Sequence, residues 1–170
     1  TGDDDAGSAS GDEGDEGDEP VVTPVPVVPD DDSFLQPVAE LKTFLPSTLP
    51  GYTLGTAVSD ATDVVISVDS EAPDAVFRRA LLSVHDRESA DGAATYLTDV
   101  SRTVYATDPD EFSAWGSSAV YFGTDGERYS TVAFTRGRYV FEVIVTVIDG
   151  DPLKTRVIAE DLARSFQLDN

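Results

Sequence analysis

The most regular pattern of apolar and polar residues lies between residues 118 and 148. Three stretches rich in β-branched and aromatic residues are separated there by two glycine turns, TDGE and TRGR. Asp-Gly between two such stretches is among the strongest short signals for a β-hairpin. We therefore predict a three-stranded antiparallel meander. Both faces of its last stretch, residues 142–148, are largely apolar, which predicts a central strand.

Three other segments have apolar residues at helical spacing. The first spans residues 34–45 and is ended by Pro46. The second spans residues 88–106, with Ser89 or Asp91 as its N-cap. Its predicted apolar face consists of Ala93, Ala94, Leu97, Val100 and Val104. The third begins with Asp151 as cap and Pro152 at the first helical position. Its predicted apolar face consists of Leu153, Val157, Ile158, Ala159, Leu162 and Phe166.

Three strands are predicted between the first two helices. Residues 52–60 and 63–70 indicate two strands joined by a turn at residues 60–63. The apolar run at residues 80–85 fits a strand or a helix by periodicity, and we assign a strand because the segment after it forms the better helix. The predicted order is α-βββ-α-βββ-α, which indicates an α+β fold with an antiparallel sheet of two three-strand runs packed by helices.

The first 33 residues differ in composition from everything that follows. They contain 12 of the chain's 33 acidic residues and no Lys, Arg, Phe, Tyr, Leu or Ile. Such a segment cannot offset its ordering entropy by burial, so we expect it to be disordered. The prolines of PVVTPVPVVP, residues 20–29, favour an extended spacer of about 30 Å. We therefore divide the chain into an acidic, Pro/Val-rich tether (1–33) and a globular domain (34–170).

The charge of the chain limits its partners. Its net charge is −22, and the 21 acidic and 11 basic residues after position 33 leave the globular domain at −10. Nucleic acids and anionic membrane surfaces are bound through clustered Lys and Arg, which are scarce here, so neither is an expected partner. The chain has no cysteine, which excludes disulfides and thiol chemistry. No apolar run reaches the length of a membrane span.

The order of the N-terminal segments suggests a location. The chain begins at Thr1, followed by an acidic low-complexity stretch, a Pro-Val stretch and a folded domain. This order resembles the mature N-terminus of prokaryotic surface lipoproteins, which implies a lipid-bearing cysteine upstream of Thr1. We therefore expect an extracytoplasmic protein that meets the membrane only through this inferred anchor. The alternative is a cytosolic protein with a disordered acidic leader.

Four further features of the sequence suggest a family. They are LPSTLPGY (45–52), the Ser-Ala-x-x-Ala-Ala helix at residues 89–94, GRYVFEVIVTV (137–147) and DPLKTRVIAEDLARSF (151–166). Together they resemble small extracytoplasmic lipoprotein domains of high-GC bacteria, many of which have a PsbP-like or related α+β fold. The resemblance implies a non-catalytic module that binds a ligand or a protein partner, and it assigns no functional residue.

Catalytic chemistry finds little support in the residue pattern. His85 is the chain's single histidine, and no nucleophile motif accompanies it. We name one alternative polar site, suited to a carboxylate-based hydrolase of the cell envelope, and expect neither a metal nor a cofactor. It consists of His85, Asp86, Asp108, Asp110 and Glu111.

The aromatic residues give a second candidate site. Trp115 lies in a predicted loop, where an exposed aromatic ring is typical of a binding surface. Phe112 and Tyr121 flank it in the sequence. We therefore predict that a ligand or protein partner at the cell surface binds at Trp115, Phe112 and Tyr121. A purely structural envelope protein is a further alternative, and the oligomeric state is left open.

Overall fold

The structure, a computed structural model, describes residues 32–72, 77–104, 110–114, 117–125, 129–147 and 152–168. These residues form a mixed α+β fold of one antiparallel sheet and two α-helices, after two short 3₁₀ turns at Asp32–Leu35 and Leu41–Phe44. The strands are β1 Tyr52–Leu54, β2 Val58–Ser59, β3 Asp63–Ser70, β4 Phe77–Asp86, β5 Asp110–Ala114, β6 Ser117–Asp125, β7 Tyr129–Arg136 and β8 Tyr139–Val147. The helices are α1 Ala90–Val104 and α2 Pro152–Ala163.

The sheet has the strand order β1-β3-β4-β8-β7-β6-β5, and β2 pairs with β3 beside β1. The predicted meander of β6, β7 and β8 is confirmed, and β8 lies in the interior of the sheet between β4 and β7. The strand assignment for residues 80–85 is also confirmed, because they lie within β4. The turn predicted at residues 60–63 is formed by the Asp60 side chain, which accepts hydrogen bonds from the backbone N–H groups of Thr62 and Asp63.

The predicted first helix is wrong. Residues 34–45 form parts of the two 3₁₀ turns and extended backbone instead of one α-helix. Pro37 explains the difference, because a proline inside a helix lacks the N–H donor and clashes with the preceding turn. Pro46 holds the residue before it, Leu45, in an extended conformation at φ −82° and ψ 145°.

The predicted runs of three strands are wrong in detail, because each half of the described chain contributes four. The stretch 52–60 is split into β1 and β2 at Gly55, whose backbone lies so close to β3 that an added Cβ would fall 2.2 Å from Ser67 Oγ. The strand β5 was not predicted. It begins with Asp110 and Glu111, which the sequence analysis assigned to a polar site, and charged residues are common in strands at a sheet edge.

Both later helices are confirmed, although not all of their predicted faces. Ser89 caps α1, since its Oγ accepts the backbone N–H of Gly92 at 3.0 Å. Ala93 and Leu97 are buried, whereas Ala94 is exposed. Helix α2 begins at Pro152 as predicted, but Val157 is exposed rather than buried. Residues 1–31 of the predicted tether (1–33) and the proposed cap Asp151 lie outside the described residues, whereas residues 32 and 33 belong to the first 3₁₀ turn.

The two faces of the sheet carry two separate apolar clusters. The larger cluster joins β3, β4, β7 and β8 to α2 and the N-terminal segment 34–45. At its centre Phe134 and Phe141 stack with ring centroids 5.1 Å apart, and the rings of Phe44 and Phe166 meet Phe141 edge-on. The smaller cluster lies on the opposite face, where Ala93 and Leu97 of α1 pack on the sheet. The helices therefore cover opposite faces.

The N-terminal segment is fastened to the first residues of β8. The buried hydroxyl of Tyr139 donates to the carbonyl of Gln36 at 2.7 Å and accepts the backbone N–H of Val38 at 2.8 Å. One residue earlier, the backbone N–H of Arg138 donates to the carbonyl of Phe34 at 3.1 Å. A single tyrosine thus satisfies two backbone groups of a segment that has no regular ladder of its own.

Replacing this hydroxyl tests its contribution. We expect Tyr139→Phe to lower the free energy of unfolding by about 1–3 kcal/mol, because the N–H of Val38 and the carbonyl of Gln36 lose their partner. Tyr129→Phe is the matched control. Because Tyr129 is 40% exposed, removal of its hydroxyl should change the free energy of unfolding little. Urea unfolding of both variants measures the difference, and equal effects would show that the hydroxyl does not stabilise the segment.

Alanine substitutions at two glycines distinguish the cost of a left-handed backbone from the cost of a steric clash. Gly51 and Gly137 both have positive φ, +83° and +52°. Among the described residues no atom lies within 4 Å of a Cβ added at Gly51, whereas one added at Gly137 would lie 2.3 Å from the carbonyl oxygen of Phe34. We expect Gly51→Ala to cost roughly 1–2 kcal/mol from the left-handed backbone. Gly137→Ala should cost clearly more in the same unfolding assay, and equal losses would contradict the close approach.

Candidate functional site

His85 lies near the end of β4, between carboxylates from both neighbouring strands. Its Nδ1 is 2.6 Å from Asp63 Oδ1 on β3, and its Nε2 is 3.5 Å from Glu142 Oε2 on β8. The side chains of His85 and Glu142 are only 13% and 12% exposed. The contact to Asp63 is a short hydrogen bond, whereas 3.5 Å to Glu142 is long for a hydrogen bond and represents a charge contact.

A second cation and an aromatic ring complete the arrangement. Arg87 Nη2 donates to the same Asp63 Oδ1 at 2.9 Å. The guanidinium of Arg87 also lies 4.0 Å from the ring centroid of Tyr96 on α1, and the ring of His85 lies 5.3 Å from that centroid. We call Asp63, His85, Arg87, Tyr96 and Glu142 the His85 cluster. When His85 is protonated, the cluster holds two positive and two negative charges.

The surroundings of His85 act on its pKa in opposite directions. Burial is the largest effect and lowers the pKa, but the contacts with Glu142 and Asp63 together outweigh it and raise the pKa above its ordinary value of 6.5. For Asp63, burial is likewise the largest single effect, and it raises the pKa. Hydrogen bonds from His85 and Thr62 and the charge of Arg87 then lower it below 3.8. The geometry therefore favours an imidazolium between two carboxylates.

Asp86 is engaged elsewhere. Its carboxylate accepts two hydrogen bonds from the guanidinium of Arg138, at 2.7 and 3.0 Å, and one from the backbone N–H of Glu88 at 2.8 Å. Consecutive residues of a strand point to opposite faces, so Asp86 and His85 do not share a site. The pair of Asp86 and Arg138 ties the end of β4 to the turn between β7 and β8.

A shallow cavity of about 360 Å³ opens beside the His85 cluster. Val58 and Ser59 of β2, Asp60, and Val65 and Ser83 of the sheet face line it together with Asp63 and His85. The cavity lies on the face that α1 covers, but α1 packs mainly over β6, β7 and β8. The β2–β4 part of this face is therefore left beside the helix, with Val58 67% and Leu81 36% exposed.

The structure does not bring the five residues of the predicted polar site together. Asp108 lies outside the described residues. Asp110 and Glu111 lie in β5, and β8, β7 and β6 stand between β5 and β4. Four strand spacings of about 4.8 Å each place them roughly 19 Å from His85. His85 and Asp86, as described above, face opposite sides of the sheet.

Of the predicted aromatic site only the backbone of two residues is described. Phe112 pairs with Val120, and Tyr121 pairs with Glu111, so both lie in the β5–β6 ladder at the edge of the sheet. Trp115 lies outside the described residues. The proposed binding role of these three residues stays a prediction.

Four members of the His85 cluster were not predicted from the sequence, namely Asp63, Arg87, Tyr96 and Glu142. One signal was available for Asp63, because antiparallel pairing of the two predicted strands, residues 63–70 and 80–85, can place an acid opposite the histidine. Glu142 carried another signal, since an acidic residue in a strand that is apolar on both faces requires a partner. Tyr96 had no such signal, because its position over His85 depends on how α1 returns to the sheet.

The arrangement fits charge pairing better than proton transfer to a substrate. In a hydrolytic dyad the histidine nitrogen opposite its carboxylate faces a nucleophile. Here that nitrogen, Nε2, faces Glu142. Within the described ranges no group of three or more His, Asp or Glu residues is arranged to hold a metal ion.

No protein-family model, curated protein or solved structure matches the chain. Neither α1 nor α2, the α-helices of the described ranges, has the length and hydropathy of a membrane span.

The titration of the single histidine tests the charge contacts. We expect the NMR-measured pKa of His85 to lie above 6.5 and to fall in Glu142→Gln, because that variant loses one of the two flanking charges. Glu40→Gln is the control, since Glu40 belongs to the N-terminal segment and pairs with Lys42. An unchanged histidine pKa in Glu142→Gln would refute the contact.

The same contacts set the pH range of stability. Because the folded pKa of His85 is raised, its stabilisation is complete below pH 6.5 and is lost as the pH rises through the folded pKa. Because the folded pKa of Asp63 is lowered, its stabilisation is present above pH 3.8 and is lost as the pH falls through the folded pKa.

Proposed function

We propose that the chain is a membrane-tethered, extracytoplasmic domain that binds a protein partner and does not itself catalyse a reaction. The acidic and Pro/Val-rich residues 1–33 support the tether, and the likeness of the N-terminal segments to surface lipoproteins supports the location. The lipid anchor belongs to the proposal and would lie upstream of Thr1.

One observation carries the binding role: the part of the sheet face that α1 leaves uncovered. Val58 and Leu81 are exposed there, and Val65 and Ile144 are half-buried beside them. The cavity of about 360 Å³ interrupts this surface, and Asp60 lies at its rim. We call Val58, Val65, Leu81 and Asp60 the β2–β4 surface. Apolar side chains exposed next to one another on a sheet are typical of an interaction site.

The charge of the domain indicates the kind of partner. Residues 34–170 carry a net charge of −10, and complementary charge speeds association and selects among partners. We therefore expect a protein that presents aliphatic side chains next to Lys or Arg.

The hydrolase alternative has less support. It requires His85 to act as a base towards a substrate, whereas both ring nitrogens are directed at carboxylates. A protonated imidazole between two carboxylates is also a poor general base near neutral pH.

A matched pair of valines tests the β2–β4 surface. Val58 on β2 and Val157 on α2 are 67% and 58% exposed and lie on different parts of the fold. In extracts of the source organism's cell envelope, we expect one protein to be retained by the wild-type chain and by Val157→Lys. Val58→Lys should retain it at least about tenfold less, because a loss of about 1.4 kcal/mol of binding has this effect.

Equal retention by both valine variants would overturn the β2–β4 surface as the binding site. If the partner binds at the predicted aromatic site instead, Trp115→Ala and not Val58→Lys should lose it. Retention of no protein at all would favour a purely structural role.

A further inference from the structure

The His85 cluster lies where α1 meets the sheet, and the side chains that the structure describes there form one small apolar cluster. Its described apolar cluster consists of Ala93 and Leu97 on the helix, Ala133 and Val140 on the sheet, and the partly buried Tyr96. Alanine side chains bury little area. Tyr96 is the aromatic member of this cluster. Tyr96 is also the residue that contacts both His85 and Arg87.

The connection between His85 and α1 is short and tightly bonded. The backbone N–H of Arg87 donates to the carbonyl of Arg138 at 2.9 Å, and Ser89 caps the helix. Between them Glu88 has a positive φ of 65°, a conformation that a non-glycine residue adopts at a cost. His85 and the first residue of α1, Ala90, are therefore joined by a short segment whose backbone is held by hydrogen bonds.

A neutral imidazole does not fit between Asp63 and Glu142. It has one N–H donor and one lone pair, whereas the imidazolium has two donors. If Nδ1–H is kept for Asp63 at 2.6 Å, the lone pair of Nε2 faces Glu142 Oε2 at 3.5 Å. Asp63 also accepts from Arg87 Nη2 and from the hydroxyl of Thr62. Because the shorter contact keeps the remaining proton on Nδ1, deprotonation changes the contact between Nε2 and Glu142.

The groups around His85 come from four directions. Asp63 faces it from β3, Glu142 from β8, Arg87 from the segment after β4 and Tyr96 from α1. Asp60 lines the same cavity. The acidic residues Asp91 and Asp99 of α1 are exposed and Asp86 is paired with Arg138.

We propose that His85 is a pH-dependent latch, which holds α1 on the sheet when it is protonated and loosens the helix when it is neutral. The repulsion between Nε2 and Glu142 is relieved when the imidazole ring turns or shifts. The ring centroid of His85 lies 5.3 Å from that of Tyr96 at an interplanar angle of 38°, so movement of the imidazole disturbs its contact with this residue of α1. The latch is independent of the proposed partner and of the tether.

Hydrogen exchange of the full chain measures the latch. We expect the amides of α1 to lose protection between pH 6 and pH 9, after correction for the intrinsic exchange rate, while those of β8 keep theirs. The loss should be about tenfold for each unit by which the folded pKa of His85 exceeds the value it has when α1 is open.

Glu142→Gln is the decisive variant. Its side-chain amide can donate to the lone pair of a neutral Nε2, so α1 should stay equally protected at both pH values. Tyr96→Leu is a second variant that keeps an apolar side chain but removes the ring contact with His85, and its α1 protection should also be independent of pH. It serves where Glu142→Gln does not fold.

Three results would overturn the latch. The first is α1 protection in the wild-type chain that does not change with pH. The second is loss of protection that is equal in α1 and β8, which would indicate global unfolding. The third is α1 protection in Glu142→Gln or Tyr96→Leu that depends on pH as strongly as in the wild-type chain.

Discussion

Strands β4 and β8 pair along nine residue pairs and thereby join the two halves of the sheet. The other strands of the described fold are attached to these two, either directly or through intervening strands. Strands β1, β2 and β3 extend the sheet on the β4 side, and β7, β6 and β5 extend it on the β8 side. The aromatic cluster is centred on Phe141 of β8, and the His85 cluster spans β3, β4 and β8. The same pairing therefore supports the core on one face and the ionic cluster on the other.

The parts of the fold that could be predicted are those set by local sequence. The TDGE and TRGR sequences predicted the meander, and Pro152 predicted the start of α2, because turn chemistry and helix starts depend on adjacent residues. The prediction of the first helix was wrong because it used only the spacing of apolar residues and did not consider the missing N–H of Pro37. Strand β5 was not predicted because two acidic residues, Asp110 and Glu111, do not suggest a strand unless the neighbouring strand is known. Its place at the edge of the sheet leaves one side free of a partner strand, where charged residues are tolerated.

The candidate site was harder to predict because its members meet through strand pairing. Reading along the chain suggested Asp86 as the partner of His85, yet neighbours in a strand point to opposite faces. The real partners, Asp63 and Glu142, lie on the strands to either side of β4. Only a correct register for both pairings brings the three titratable groups together on one face, because Asp63 lies directly opposite His85 and Glu142 lies diagonally to it. A sequence pattern shows which residues share a face within one strand, but it does not show which strands become neighbours.

The attachment of the N-terminal segment has a mechanical consequence. Phe34 is bonded to Arg138, and Gln36 and Val38 are bonded to Tyr139, so the chain that leaves the fold towards residue 31 is anchored on an interior strand rather than on a sheet edge. A pulling force applied through residues 1–31 first meets these hydrogen bonds and the ring of Phe34, which stacks on Phe44 and lies under Arg136. While these contacts hold, they transmit the force to the first residues of β8, which is paired on both sides. The segment therefore connects the N-terminal end of the described chain mechanically to the centre of the sheet.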